Sequence, residues 1–285
     1  MAIDMNRILY LLSKTVLIIC IIIFSKFAYS QNINNSSKRY LIKADKKYLV
    51  SYFQDTKDAI KFPFRLSSKQ WLFAGGISLA GVFVYSQDEQ IRNYFQKNHS
   101  KGANDFSKHF CEPFGSGLYS LPLLAGFFSY GAIAKDSRAK FVALTGLKAF
   151  VISTGFTQVI KQLTHRHRPD QNNLPNPKIW DGPFSDIEYT SFPSGHSAAI
   201  FSIATVIASE YNDTFWVPIV SYTIAGLASV SRIYDDEHWA SDVFFGAVLG
   251  YAIGKLVYNN SGKRFTFSPV SSSGGFGFSV IYSLK

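Results

Sequence analysis

The 285-residue chain has only two cysteines, Cys20 and Cys111. Cys20 lies in an apolar run behind Ile19, which is too bulky for an ordinary lipoprotein cleavage box. If that run is removed, Cys111 alone remains and no intramolecular disulfide can form. Among Phe110, Glu112 and Pro113 it reads as a structural thiol. The chain has no internal repeat and no low-complexity segment beyond a Ser-Gly turn, which leaves solenoids and propellers out. No nucleic-acid-binding motif is present, and Lys and Arg are spread along the chain rather than gathered in one strip. Long apolar runs are also scarce. Mean hydropathy is only +0.06, and several apolar segments fall short of the roughly 20 residues a spanning helix uses.

Aromatics and positive charge are plentiful. There are 26 Phe and 16 Tyr, and the net charge is +10. With nucleic acid set aside, this balance suits anionic lipid surfaces and phosphorylated partners. Residues 1–30 read as an export signal: Arg7 and Lys14 are its basic part, 15–24 its apolar part, and Ala28-Tyr29-Ser30 a small-x-small cleavage site. An uncleaved signal anchor is the alternative. Residues 31–69 form a polar, Lys-rich arm in which 32–38 are expected to be flexible and 48–64 partly helical. Residues 70–258 form the main domain, and 259–285 a tail that alternates in strand fashion about a Ser-Gly turn, as a short β-hairpin does.

The main domain is expected to be all-α. Candidate helices are 71–85, 118–134, 139–163, 194–209, 215–231 and 239–258, about six in a bundle that is expected to be membrane-embedded. Lys148 interrupts one of them. If 118–134 crosses inward, the basic turn 135–140 falls in the cytoplasm and the later helices deliver 161–169, 193–196 and 231–242 to one outer face. That scheme requires 71–85 not to span. The acidic turn 210–213 fits its cytoplasmic side poorly.

Those three outer stretches carry the chemistry. The first is Lys161-Gln-Leu-Thr-His-Arg-His-Arg168-Pro169, the second Pro193-Ser194-Gly195-His196, the third Ser231-Arg232 followed by His238 and Asp242. Arg168 and Arg232 supply planar forks for a tetrahedral oxyanion, and Lys161 adds a compact third cation. Ser194 is positioned to cap a helix, with Gly195 allowing close backbone approach, so free N–H groups join the cradle. His238 and Asp242 are spaced four apart. A carboxylate there can hold the imidazole N–H and leave the other nitrogen as a nucleophile. His196 would protonate the leaving oxygen and then activate water. The scheme needs no metal and no cofactor.

The three stretches together resemble the tripartite signature of the type 2 phosphatidic acid phosphatase and vanadium haloperoxidase superfamily. That signature is Lys, six residues, Arg-Pro; then Pro-Ser-Gly-His; then Ser-Arg, five residues, His, three residues, Asp. The resemblance covers roughly residues 70–258 and fills every signature position. It implies an all-helical core, a nucleophile at His238, a general acid at His196, and metal-independent hydrolysis of phosphate esters or anhydrides, most simply on a lipid at the outer face of a bacterial inner membrane. A soluble periplasmic acid phosphatase and a vanadate-dependent haloperoxidase share the signature and stay open. Between the fixed positions, His165, Arg166 and His167 read as solvated loop or anion-steering residues. Asp235, Asp236 and Glu237 read as a solvated acidic turn. The wall 180–189 is expected to shape substrate selection.

Overall fold

The computed structural model describes residues 44–171, 174–183, 185 and 190–261 with their side chains, and 264–272 and 275–283 as backbone. The expected export segment 1–30 and flexible stretch 32–38 lie outside the described residues, as does part of the wall 180–189.

Helix α1 is Lys46–Lys61, capped by Asp45, and a single 3₁₀ turn, Phe62–Arg65, follows it. Helix α2, Ser68–Ser86, opens with a capping box in which Ser67 and Gln70 satisfy each other's backbone N–H groups. Three short helices then cross one end of the molecule: α3 (Asp88–Lys97), α4 (Lys101–Phe106) and α5 (Glu112–Gly115), with a π-helical turn at Ser107–Cys111. The body is α6 (Ser120–Ile133), α7 (Ser137–Thr164), α8 (Gly195–Glu210), α9 (Trp216–Tyr234) and α10 (Ala240–Ser261). Beyond it, Arg264–Ser272 and Gly275–Ser283 run as an antiparallel pair.

Helix α8 sits at the centre, packed against α7, α9 and α10. Most of its side chains are buried. Its approach to α10 depends on a stripe of glycines one turn apart. A Cβ at Gly246 would lie 2.5 Å from the Ser194 carbonyl oxygen, one at Gly250 2.3 Å from that of Ala198, and one at Gly254 2.6 Å from that of Ser202. The two backbones are therefore nearly in contact, which only hydrogen side chains permit. This fixes the second stretch of chemistry, at the start of α8, beside the third, at the start of α10.

By length and composition, α7, α9 and α10 are each able to cross a membrane. Lys148, in the middle of α7, is buried in an ion pair with Asp55 of α1 at 2.6 Å and donates to Ser51 Oγ at 3.0 Å. Tyr48 of α1 donates to the Leu144 carbonyl at 2.8 Å. A cation in an apolar helix is costly unless paired, and α1 brings the partner. The polar arm thus docks on the bundle.

Helix α2 lies along α10. At one end, Asn260 of α10 donates to Asp55 and Asp58 of α1, at 2.8 and 3.2 Å. At the other, the N–H of Ser241, in the first turn of α10, donates to Asp88 at 2.8 Å. Between those two contacts α2 runs antiparallel to α10 over its length. It does so with a largely bare outer face: Leu72 is 80% and Phe83 67% exposed. Gly81 lets the ring of Phe245 reach its backbone, where a Cβ would lie 2.3 Å away. Helix α1 and the three stretches of chemistry consequently lie at opposite ends. The acidic turn at the α1 end is neutralised by Arg138, whose Nε lies 3.0 Å from Glu210 Oε1 and whose Nη2 lies 2.8 Å from Asp213 Oδ1.

Candidate active site

The first stretch is anchored by the end of α7. The helix stops at His165, which takes a left-handed conformation (φ 42°). Lys161, in the last turn, is buried, and its Nζ is held by the carbonyls of Thr190 and, at 3.5 Å, Ser191. The Ser191 N–H donates to the Arg166 carbonyl at 2.9 Å, and Thr164 Oγ1 to that of Phe192 at 3.2 Å. These bonds tie the first stretch to the approach to the second. The second is joined to the third by the Ser194 N–H, which donates to the Asp242 carbonyl at 2.9 Å. Ser194 caps α8, its Oγ accepting from the Ser197 N–H at 3.4 Å. An added Cβ on Gly195 would come within 4.0 Å of Lys161 Cε, so the helix start and the lysine share one wall.

His238 precedes α10 rather than lying in it, and its relation to Asp242 is not the direct contact that the four-residue spacing suggests. Nδ1 is 3.7 Å from Asp242 Oδ2, beyond hydrogen-bond reach. Ser191 bridges the gap: its hydroxyl donates to Asp242 Oδ2 at 2.5 Å, and its Oγ lies 3.4 Å from His238 Nδ1. With the serine proton committed to the carboxylate, Oγ offers a lone pair to Nδ1–H. That arrangement leaves Nε2 as the basic nitrogen. Burial drives the His238 imidazole down to about 3, against the pull of the neighbouring Asp242 carboxylate. Lys161 and Arg168 reinforce the downward shift, so both cations lie within electrostatic range of the ring. A neutral imidazole at physiological pH is the nucleophilic form.

Asp242 is itself held from every side. Its Oδ2 also accepts from the Trp239 N–H at 3.0 Å. Its Oδ1 is 2.5 Å from Nη1 of Arg166, which also donates to Ser241 Oγ at 2.8 Å. Arg166 Nη2 meets Asp88 Oδ2 at 2.7 Å, and that oxygen accepts from Ser241 Oγ at 2.6 Å. The Pro177 carbonyl takes bonds from Arg166 Nε and Nη2 at 3.1 and 2.9 Å. The guanidinium lies 5.0 Å from the ring centroid of Tyr85, 4.7 Å from that of Trp180 and 5.7 Å from that of Trp239. Arg166 is fully buried. The expectation of a solvated or anion-steering loop is therefore corrected at all three positions. His165 is buried with Nδ1 2.7 Å from the Gly182 carbonyl, and His167 is buried with Nε2 2.7 Å from Asp181. All three side chains pack into the body, because the strand-like stretch after α7 is covered by 177–182 and by Trp239, whose Nε1 donates to the His167 carbonyl at 2.8 Å.

The acidic turn is also corrected. Asp235 accepts from Ser107 Oγ at 2.9 Å and lies 3.3 Å from Arg232 Nη1. Asp236 is bidentate to Arg92, at 2.6 and 2.5 Å. Glu237 bridges the two arginines of the site, paired through Oε2 with Arg168 Nη1 and through Oε1 with Arg232 Nη2, the latter at 3.4 Å. None of the three is a free solvated carboxylate: Arg92 of α3 and Ser107 of the π-helical turn reach Asp236 and Asp235, and the site's own arginines hold Glu237. Arg232 Nε is buried with no hydrogen-bond partner among the described residues.

His196 faces α5. Its Nε2 lies 3.3 Å from Glu112 Oε1, and a Cβ on Gly115 would come within 2.9 Å of the imidazole Cδ2. Burial and the Arg232 charge hold His196 below the ordinary histidine range, while the hydrogen bond to Glu112 pulls it up. Arg166, Ser191 and Glu112 touch residues of the signature, and Asp88 reaches Asp242 through Arg166; the sequence alone gave none of the four a part in holding the site. The closeness of Arg166 to Arg168 was its only signal.

Residues 142–266 match the family model described as the PAP2 superfamily. Over 69 residues it is 44% identical to a lipid A 1-phosphatase of Porphyromonas gingivalis, covering 24% of this chain and 16% of that protein. Over 154 residues it is 30% identical to a PA-phosphatase related-family protein of Dictyostelium discoideum, covering 48% of this chain and 55% of the other. The chain thus spans less than two thirds of the length of these relatives. Among solved structures, a transmembrane PAP2-type phosphatidylglycerolphosphate phosphatase from Bacillus subtilis aligns with a TM-score of 0.48 at 23% identity, over 77% of this chain and 98% of that one.

Proposed function

We propose that this protein is a membrane phosphatase that hydrolyses phosphate monoesters or pyrophosphates carried on lipids, through a phosphohistidine at His238 and without a metal. The observation that carries the reading is the convergence on one site of the Asp242–Ser191–His238 chain, His196, and the cations Lys161, Arg168 and Arg232. In the first step His238 Nε2 attacks phosphorus in line. The bond to the leaving oxygen breaks, and His196 protonates that oxygen. Nδ1–H stays on Ser191 Oγ, with the Asp242 charge behind it to stabilise the cation forming on the ring. In the second step water attacks the phosphohistidine, His196 takes its proton, and inorganic phosphate leaves with Nε2 restored. The arginines, Lys161 and the N–H groups at the start of α8 meet the charge on the equatorial oxygens throughout.

A lipid substrate follows from the surroundings of the site. Three helices have the length and composition to cross a membrane, and the outer face of α2 is strongly apolar. The named activity of the Porphyromonas gingivalis relative is on a lipid phosphate. The basic residues Lys46, Lys47, Lys57, Lys61, Lys135 and Lys140 lie at the end of the bundle opposite the site. By the positive-inside tendency that end faces the cytoplasm and the site faces the periplasm.

The deciding assay is phosphate release by the purified protein in detergent with EDTA, from a polyprenyl pyrophosphate, phosphatidate and a small soluble monoester, beside a folded His238→Ala variant. Turnover of the lipids, lost in the variant, is expected. An equally active variant would sink the phosphohistidine step, and preference for the soluble ester would sink the lipid assignment.

A further inference from the structure

We infer that Glu237 is an internal competitor for the phosphate site and so helps to set which anions enter it. This rests on the phosphatase reading above. The two forks that the reading assigns to a phosphate, Arg168 and Arg232, are both engaged by one carboxylate, each by a different oxygen. A carboxylate spanning two guanidinium groups in this way presents the same pair of oxygens that an equatorial edge of a phosphate would. Glu237 is adjacent to His238, so it occupies the mouth of the nucleophile's own site and not a distant part of the loop. Its side chain is 35% exposed, and that of Arg168 28%, so the pair can open toward solvent without unpacking the core.

The neighbouring carboxylates do not share this role. Asp236 is turned away onto Arg92, and Asp235 is committed to Ser107. Arg232 retains a further buried donor, Nε, that Glu237 does not use. A terminal phosphate dianion carries one more charge and one more oxygen than the carboxylate, and in addition meets Lys161 and the start of α8. It displaces Glu237, whereas weaker anions compete with it on even terms. The opposite possibility is that Glu237 holds the arginines in place for the substrate. The two cases differ in sign.

The test is the inhibition constant of inorganic phosphate and the KM for phosphatidate in Glu237→Gln and Glu237→Ala, with Asp236→Asn as a neighbouring-charge control. Exposed ion pairs of this kind are each worth up to about 1 kcal/mol, so removing the competitor is expected to tighten both constants by about three- to tenfold. Unchanged or weakened constants in both variants, with wild-type turnover intact, overturn the inference. Equal tightening by Asp236→Asn also overturns it, since the effect would then be general charge. If the wild-type protein turns over no phosphate ester, the phosphatase reading itself fails. Direct calorimetric titration of inorganic phosphate into wild-type and Glu237→Gln protein then still reads the competition. Equal affinity there counts against Glu237, and tighter binding by the variant supports it.

Discussion

Replacing Arg166 by Lys tests whether the buried guanidinium positions the nucleophile. Arg166 donates to Asp242 at 2.5 Å, Asp88 at 2.7 Å, Ser241 at 2.8 Å and twice to Pro177, at 2.9 and 3.1 Å. An ammonium keeps the charge but gathers its three donors on one atom, so it cannot reach both carboxylates and the carbonyl beyond them. Hydrogen bonds to charged groups are worth about 1.5–3 kcal/mol each, and breaking a buried pair outright costs about 3–5. With the charge retained, a loss of about 3 kcal/mol is reasonable, corresponding to a fall in Tm of roughly 10 °C for a chain of this size. The catalytic consequence follows from Asp242 losing its Oδ1 anchor. Its other oxygen, and Ser191 with it, would then no longer hold His238 Nδ1 in one place. Turnover is expected to fall about 100-fold while KM changes by less than about threefold, because Arg166 does not face the substrate. Steady-state kinetics with phosphatidate and thermal unfolding in detergent read both quantities. A lowered Tm with wild-type kcat would leave Arg166 a structural residue only. A raised KM with unchanged kcat would place it in substrate binding and refute the positioning argument.

Two further outcomes are expected. Glu112→Gln removes the partner that favours the charged form of His196, so the imidazolium is lost at lower pH. Because a general acid must be protonated, the alkaline limb of the kcat/KM profile should move to lower pH, and a limb that stays in place or moves upward would contradict the assignment of His196 as the acid. Single cysteines at Lys61 and Lys101, introduced with Cys111 left in its buried place, should label from opposite sides of a sealed vesicle, because α2 runs the length of α10 between them. Labelling from one side would mean that α2 does not cross.

The signature residues were legible because their chemistry is local in kind. A cation pattern, a Ser-Gly-His helix start and a His-x-x-x-Asp spacing each state a requirement that the residues themselves meet. The helices of the body were legible for a similar reason, as apolar runs broken by Gly, Asn and charged turns. Lys148 was visible as an anomaly but not as half of a pair, since Asp55 lies far away in an arm that looked merely polar. Helix α2 was expected as a helix that does not span, and its place along α10 was not legible because its outward side chains are as apolar as its packed ones. Hydropathy cannot separate a short surface helix from one laid along α10.

Which atoms meet in the site was decided only by the tertiary structure. The four-residue spacing of His238 and Asp242 promised a direct contact, but the imidazole lies before the helix, and Ser191, brought from 47 residues upstream, carries the connection. Arg166 was read as a solvated neighbour of Arg168. Its main-chain position was plain, yet its partner Asp88 is 78 residues away and comes to it only because α2 returns the chain to the start of α10. Arg92 of α3, with Arg168 and Arg232, converts three adjacent acidic residues from a solvated turn into ion-paired groups, Glu237 lying across Arg168 and Arg232. By itself, then, the sequence determined the chemical groups and their order along the chain. The charge, protonation and tautomer of each depend on burial and on partners distant in sequence, and those exist only once the helices have packed.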